Sequence, residues 1–176
     1  MEPISVISGA VTFLDRDDVD TDQIIPKQFL KRIERTGFAE FLFYDWARDG
    51  LVVQANPILL AGKNFGCGSS REHAVWAIQQ SGFAAVIAPS IADIFYSNAT
   101  KNGLLPVILD EAACRAIASA GEATIDLATQ TVKWEGGSAS FEIDPAIKHR
   151  LLNGLDEIAL TLQHEDDILA FERTRT

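Results

Sequence analysis

The sequence predicts an α/β protein built on a mixed sheet, and three observations carry that reading. Short apolar runs at 57–61 (PILLA), 84–88 (AAVIA) and 104–109 (LLPVIL) alternate with helix-patterned segments, the arrangement of parallel crossovers. From about residue 122 the pattern changes to short strands parted by turns, which pair antiparallel. Nearly half of the 176 residues are hydrophobic, enough for one domain to bury a core. Residues 1–176 are therefore read as a single domain with a C-terminal hairpin and helix extension from about 122.

Residues 4–14 alternate loosely and read as the first strand. The acidic loop Asp15-Arg16-Asp17-Asp18-Val19-Asp20-Thr21-Asp22 follows. Asp18, Asp20 and Asp22 imitate the first ligands of an EF-hand, but Gln23 stands where that loop needs glycine and Phe29 where it needs glutamate. Calcium is rejected, and a solvated loop with turn-capping side chains is expected. Residues 23–26 are short and apolar. Lys27, Lys31, Arg32 and Arg35 then put four cations within nine residues of a chain whose formal charge is −10. A solvated basic turn accounts for them, although a dicarboxylate ligand would also need cations. Residues 37–48 (GFAEFLFYDWAR) read as a short amphipathic helix. Its Phe38, Phe41, Phe43, Tyr44 and Trp46 exceed what one helix face can hide, so core packing is expected for most and a partner contact for some.

The stretch 62–78, GKNFGCGSSREHAVWAI, carries the chemistry. A buried strand leads into a loop with glycines at 62, 66 and 68, then two serines and a helical pattern that Gly82 stops. Ser69 with Glu72 three residues on has the form of a capping box, placing the helix start at about Ser70. A glycine loop opening on a helix offers free N–H groups and the positive end of the helix dipole. With Ser69 and Arg71 there, it can hold a carboxylate and stabilise an oxyanion. It is not a P-loop, not G-x-G-x-x-G and not a nucleophile elbow. Glycines that only turn and serines that only cap remain the plainer account of the spacing taken alone.

The later elements follow in order. Ser90 with Asp93 caps a helix running to Asn102-Gly103, and Asp110 caps EAACRAIASA, which ends at Gly121. Residues 123–127, 131–134 and 138–143 read as strands with Gly136-Gly137 as a hairpin turn. Asp144-Pro145 opens a helix closed by Asn153-Gly154. Residues 155–162 suit either strand or helix, and 164–173 form a terminal helix with acids in its first turn.

The acidic balance argues against nucleic acid, and no apolar run approaches the roughly 20 residues of a membrane span. The start MEPISVISGA lacks a secretory pattern, and two cysteines without a C-x-x-C spacing predict a reducing cytoplasm. Cys67 lies where a helix N-terminus could activate a thiol, and His73 is near in sequence. No third orienting group is evident, so a packed Cys67 and a loop-orienting His73 are expected. His149 and His164 give no zinc spacing, and no metal is assigned to this chain.

NFGCGSSREHAVWAI resembles the small subunits of 3-isopropylmalate dehydratases, members of the aconitase superfamily. DTDQIIPKQFLKRIERTGF, IAPSIADIFYSNATKNGLLPV and NGLDEIALTLQHEDDILAFE extend that resemblance, in order, along nearly the whole chain. It implies a three-layer swivelling β/β/α domain like the C-terminal domain of aconitase. It also implies a hydro-lyase of leucine biosynthesis that interconverts 2-isopropylmalate and 3-isopropylmalate through 2-isopropylmaleate. Ser69 matches the superfamily's alkoxide base and Arg71 its carboxylate clamp, with Ser70 donating to the substrate. The basic segment matches the loop that meets the distal part of the substrate, which assigns Leu30, Lys31 and Arg32 to substrate binding, with Arg35 as a further candidate. The Asp20-Thr21-Asp22 motif is shared and is expected to be structural. A [4Fe–4S] cluster is implied, and two cysteines cannot hold it, so it is expected in a large subunit bound as a heterodimer or higher assembly. Small subunits for homoaconitate, citramalate or dimethylmalate hydration, and a non-catalytic domain of the same fold, are the alternatives.

Overall fold

A computed structural model of the chain describes residues 1–31, 35–162 and 164–174. Its strands are β1 (Val6–Leu14), β2 (Ile58–Ala61), β3 (Ala85–Ala88), β4 (Leu105–Ile108), β5 (Glu122–Asp126), β6 (Thr131–Trp134) and β7 (Gly137–Ser140). They form one sheet in the order β4-β3-β2-β1-β5-β6-β7. The β4-β3-β2-β1 half is parallel and the β1-β5-β6-β7 half antiparallel, which is the mixed sheet expected. β1 serves both halves: residues 6–10 pair with β5, and residues 11–14 pair with β2.

Parallel strands covered on both faces must be apolar throughout, and β2 and β3 are buried at every position. Their alternation divides the core in two. Leu59, Ala61, Val86 and Ala88 pack with Phe38, Phe43, Phe65 and Phe95 beneath α3 (Glu72–Gln80) and α4 (Asp93–Asn102). Ile58, Leu60, Ala85, Ile87 and Val107 pack with Ile117 of α5 (Glu111–Ala120) and Leu151 of α6 (Pro145–Leu152). Ile125 of β5 and Val132 of β6 join that second cluster, so the antiparallel half packs into the same layer of core as the parallel half. Each such side chain contributes about 1.5–3 kcal/mol on full burial, enough to hold four-residue strands whose local preference is weak. The structure is thus an α/β domain on a mixed seven-stranded sheet.

The remaining helices are α1 (Thr21–Ile24), α2 (Tyr44–Arg48), α7 (Glu157–Leu162) and α8 (Glu165–Arg173). Several boundaries differ from expectation. The helix predicted over 37–48 is a 3-10 turn (Ala39–Phe41) followed by α2, with Phe43 between them in the left-handed region at φ +49°. The Phe43 N–H donates to Ile24 O at 2.8 Å. The break lets Phe38, Phe41 and Phe43 all turn inward, as one continuous helix could not. α1 was not expected; Asp20 opens it through a capping box with Gln23. Ser90 does not cap α4, whose N-cap is Ala92; the Ser90 hydroxyl instead accepts the Asn64 N–H. Asp110 and Asp144 cap α5 and α6 as expected, and the ambiguous 155–162 segment forms α7. Among the described residues no helix is long and apolar enough to cross a membrane.

Candidate functional site

β1, β2 and β3 run parallel, so the chain leaves all three at one edge of the sheet, where ligand crevices of α/β sheets form. The loops at 15–20, 62–71 and 89–92 meet there. Asp17 accepts the Lys63 N–H at 2.7 Å, Asp18 accepts from Asn64 Nδ2 at 2.8 Å, and Val19 O accepts the Gly66 N–H at 2.8 Å. Ser90 O accepts the Phe65 N–H at 3.1 Å from the third loop. The acidic loop expected to be merely solvated is therefore a brace for the glycine loop, although Asp17 and Asp18 remain exposed. Gly66 adopts φ +74°, and a Cβ there would run into the Phe95 ring. Gly68 adopts φ +88° as the chain turns into the serines.

The next contacts hold residues 67–71 of the loop. Thr21, 1% exposed, donates its N–H to Cys67 O at 3.0 Å and its hydroxyl to Ser69 O at 2.9 Å. The Arg71 guanidinium is buried and hydrogen-bonded to the Asp22 carboxylate. Lys27 lies 4.0 Å from the other oxygen of Asp22. The hydrogen bond from Arg71 holds the Asp22 carboxyl below its usual range; partial burial opposes that, and the charges of Arg71 and Lys27 assist it. Arg71 thereby keeps a charge partner although its own side chain is buried, and the rest of its planar fork can address a second carboxylate.

With its side chain drawn to Asp22, Arg71 stays extended at φ −140° and stands at the N-cap. α3 starts at Glu72, two residues later than predicted, and the Ser69–Glu72 capping box does not form. Glu72 instead accepts from Asn102 Nδ2 at 2.8 Å. Neither serine is spent on capping: both are exposed, and Asn98 Nδ2 donates to Ser70 Oγ at 3.2 Å. Because that hydroxyl accepts from Asn98, its own proton is available to a ligand.

Ser69, Ser70 and Arg71 are thus brought together, with Lys27 joined to them through Asp22. Leu30 ends the 3-10 turn Lys27–Phe29, half-buried against the first core, and Lys31 is exposed. Neither bonds to the Ser69–Arg71 cluster among the described residues, and Arg32 lies outside those residues. Arg35 stacks over Trp76, 5.4 Å from the ring centroid. Sequence reasoning gave neither Asp22 nor Asn98 a contact in the site. Their signal is spatial, since 49 and 28 residues separate them from their partners.

Burial pushes the Cys67 thiol up, and the charges of Asp20 and Asp18 push it further, so it is not an activated thiol. Cys114 is pushed up to about 11, first by burial, inside the second core. An iron–sulfur cluster needs several thiolates. These two cysteines do not fit one, because one lies in the site loop and the other on the buried face of α5. The His73 ring meets Phe38 and Trp76, with centroids 5.4 Å and 4.7 Å away, and so packs on the aromatic segment rather than orienting the loop. Burial lowers its pKa.

A serine pair and a caged arginine on a glycine loop, at the carboxyl edge of a mixed sheet, define a class that comparison identifies. Residues 51–112 match the model of the aconitase C-terminal domain. Residues 157–176 match the model for the C-terminal domain of the 3-isopropylmalate dehydratase small subunit. The 3-isopropylmalate dehydratase small subunit of Rubrobacter xylanophilus is 52% identical, over 99% of this chain and 96% of its own. That of Halalkalibacterium halodurans is 52% identical over 99% of this chain and 100% of its own. A crystal structure of 3-isopropylmalate dehydratase from Methanocaldococcus jannaschii superposes with a TM-score of 0.72 at 30% identity, covering 95% of this chain and 99% of its own. The chain belongs to the family of 3-isopropylmalate dehydratase small subunits.

Proposed function

We propose that this chain works with a large subunit as a hydro-lyase of leucine biosynthesis, interconverting 2-isopropylmalate and 3-isopropylmalate by loss and re-addition of water. Membership of the family carries the reaction. The openness of the loop supports the division of labour: Ser69 and Ser70 are exposed, while Arg71 beside them is buried and already paired. A serine alkoxide is untenable in bulk water and needs N–H donors, a fixed cation and a dry site. The first two are on this chain, and the covering surface comes from its partner.

In this reading Ser69 Oγ, as the alkoxide, takes the proton from the carbon alpha to a substrate carboxylate and returns it on hydration. Arg71 clamps that carboxylate with the nitrogens not engaged by Asp22, and Ser70 donates its free proton to the substrate. Leu30, Lys31 and Arg32 meet the distal group. The leaving oxygen is handled outside this chain: the cysteine pair here does not fit a cluster, and the iron–sulfur group is assigned to the large subunit. One cytoplasmic domain comprising the whole chain completes the proposal.

Reconstitution with the large subunit tests it. Ser69→Ala should assemble normally and lose turnover by several powers of ten, as loss of a proton-transfer group in a preorganised site entails. Near-normal turnover would refute the base assignment.

A further inference from the structure

The motif Asp20-Thr21-Asp22 has the look of a failed calcium loop, and a structural role is expected of it. Its contacts say more. Thr21 grips the tripeptide Cys67-Gly68-Ser69 at both ends, through its own amide to Cys67 O and through its hydroxyl to Ser69 O. Asp20 and Cys67 form an isolated parallel bridge, and Asp22 takes Arg71 two residues beyond Ser69. Three consecutive residues thus engage three alternate positions of the loop. Between the two points held by Thr21 lies Gly68, at φ +88°, where the chain has least intrinsic preference.

We propose that Thr21 is a positioning residue for Ser69, and that its hydroxyl sets where Ser69 Oγ meets the substrate. This deepens the assignment of Ser69 as base and rests on it. The Ser69 carbonyl accepts from a side chain that is itself 1% exposed, so water cannot readily replace the donor. The hydroxyl fixes one peptide plane, and that plane fixes the direction of the Ser69 Cα–Cβ bond. Without it, the Ser69–Ser70 peptide, just beyond the left-handed Gly68, is free to rotate, and the Ser69 side chain shifts with it. The fold does not depend on this bond in the same way: Ser69 is exposed, and the flanking positions are held independently by the Asp20–Cys67 bridge and by Arg71.

The test is steady-state kinetics of the reconstituted complex with 3-isopropylmalate. Thr21→Val keeps the shape and removes the donor. It should lower kcat by roughly a hundredfold, the scale of a displacement of about 1 Å at a reacting atom, with KM changed far less. Thr21→Ser, which restores the hydroxyl, should recover most of the rate. In a Ser69→Ala background Thr21→Val should cost nothing further, because residues acting as one unit are not additive. If Thr21→Val does not assemble, Thr21→Ala against Thr21→Ser asks the same question, and equal rates in the two would overturn the proposal. Wild-type kcat in Thr21→Val, a serine variant as slow as valine, or losses that multiply on Ser69→Ala would each overturn it as well. A dead Ser69→Ala beside a fully active Thr21→Val removes the positioning role alone. An active Ser69→Ala removes the base assignment, and the positioning role with it.

Discussion

Arg71 shows how a single side chain can be costly and useful at once. A buried guanidinium needs a partner, and Asp22 supplies it. Arg71→Lys should raise KM and lower kcat in the reconstituted enzyme, because an ammonium cannot bond Asp22 and a substrate carboxylate in one plane. Unchanged kinetics would remove the clamp. The pair also has a pH signature. The folded-state pKa of Asp22 is depressed, so its contribution to stability is fully present above the ordinary carboxylate value and is lost as pH falls through the depressed one. Asp22→Asn should therefore flatten the acid limb of a Tm-against-pH curve, and an acid limb identical to wild type would show the pair to be inert. His73 acts in the same direction, in the higher pH range where a histidine titrates. Burial makes its ring harder to protonate, so stability declines as pH drops below the ordinary histidine value, and His73→Phe should remove that part of the slope.

Elements differ in how openly the sequence announces them. β2, β3 and β4 are uninterrupted apolar runs, which only a strand covered on both faces requires, and Asp110 and Asp144 cap the helices they precede. The broken helix at 37–48 was not legible, because a count of aromatics cannot show that the chain bends at Phe43 to bury three of them. The capping box misplaced at Ser69 has a plain cause: the same letters suit a cap or a site, and the pull of Asp22 on Arg71 decides between them. The true box, Asp20 to Gln23, was present in the sequence but opens a helix of only four residues, too short for any periodicity to reveal. Among the candidate site residues, Ser69, Ser70 and Arg71 were proposed from motif and resemblance, whereas the contacts of Asp22 and Asn98 required the fold. At this scale Gly66→Ala is the sharpest test. It adds the strain of a left-handed alanine, about 1–2 kcal/mol, to overlap with the Phe95 ring. Thermal denaturation should show a loss exceeding that strain alone, and a loss within a few tenths of a kcal/mol would contradict the crowding.

On the scale of the whole molecule, the site is one wall. The Ser69 and Ser70 hydroxyls face solvent, and its floor is the carboxyl end of the parallel strands braced by an acidic loop. Amide hydrogen exchange of residues 67–71 should slow markedly on addition of the large subunit, while exchange in β2 and β3, already buried, changes little. Unchanged exchange in the loop of an assembled complex would place the contact elsewhere.

The strand β1, antiparallel to one neighbour along its first half and parallel to the other along its second, has a genetic consequence. Removing one codon near Ala10 would leave both halves able to find their neighbours, yet side chains beyond the excision would point to the opposite side. Leu14 would exchange its place in one core for the other, and the chain emerging after it would reach the serines one step out of phase. Such a shortened protein should still collapse and show helical and strand signals, while losing cooperative melting and turnover together.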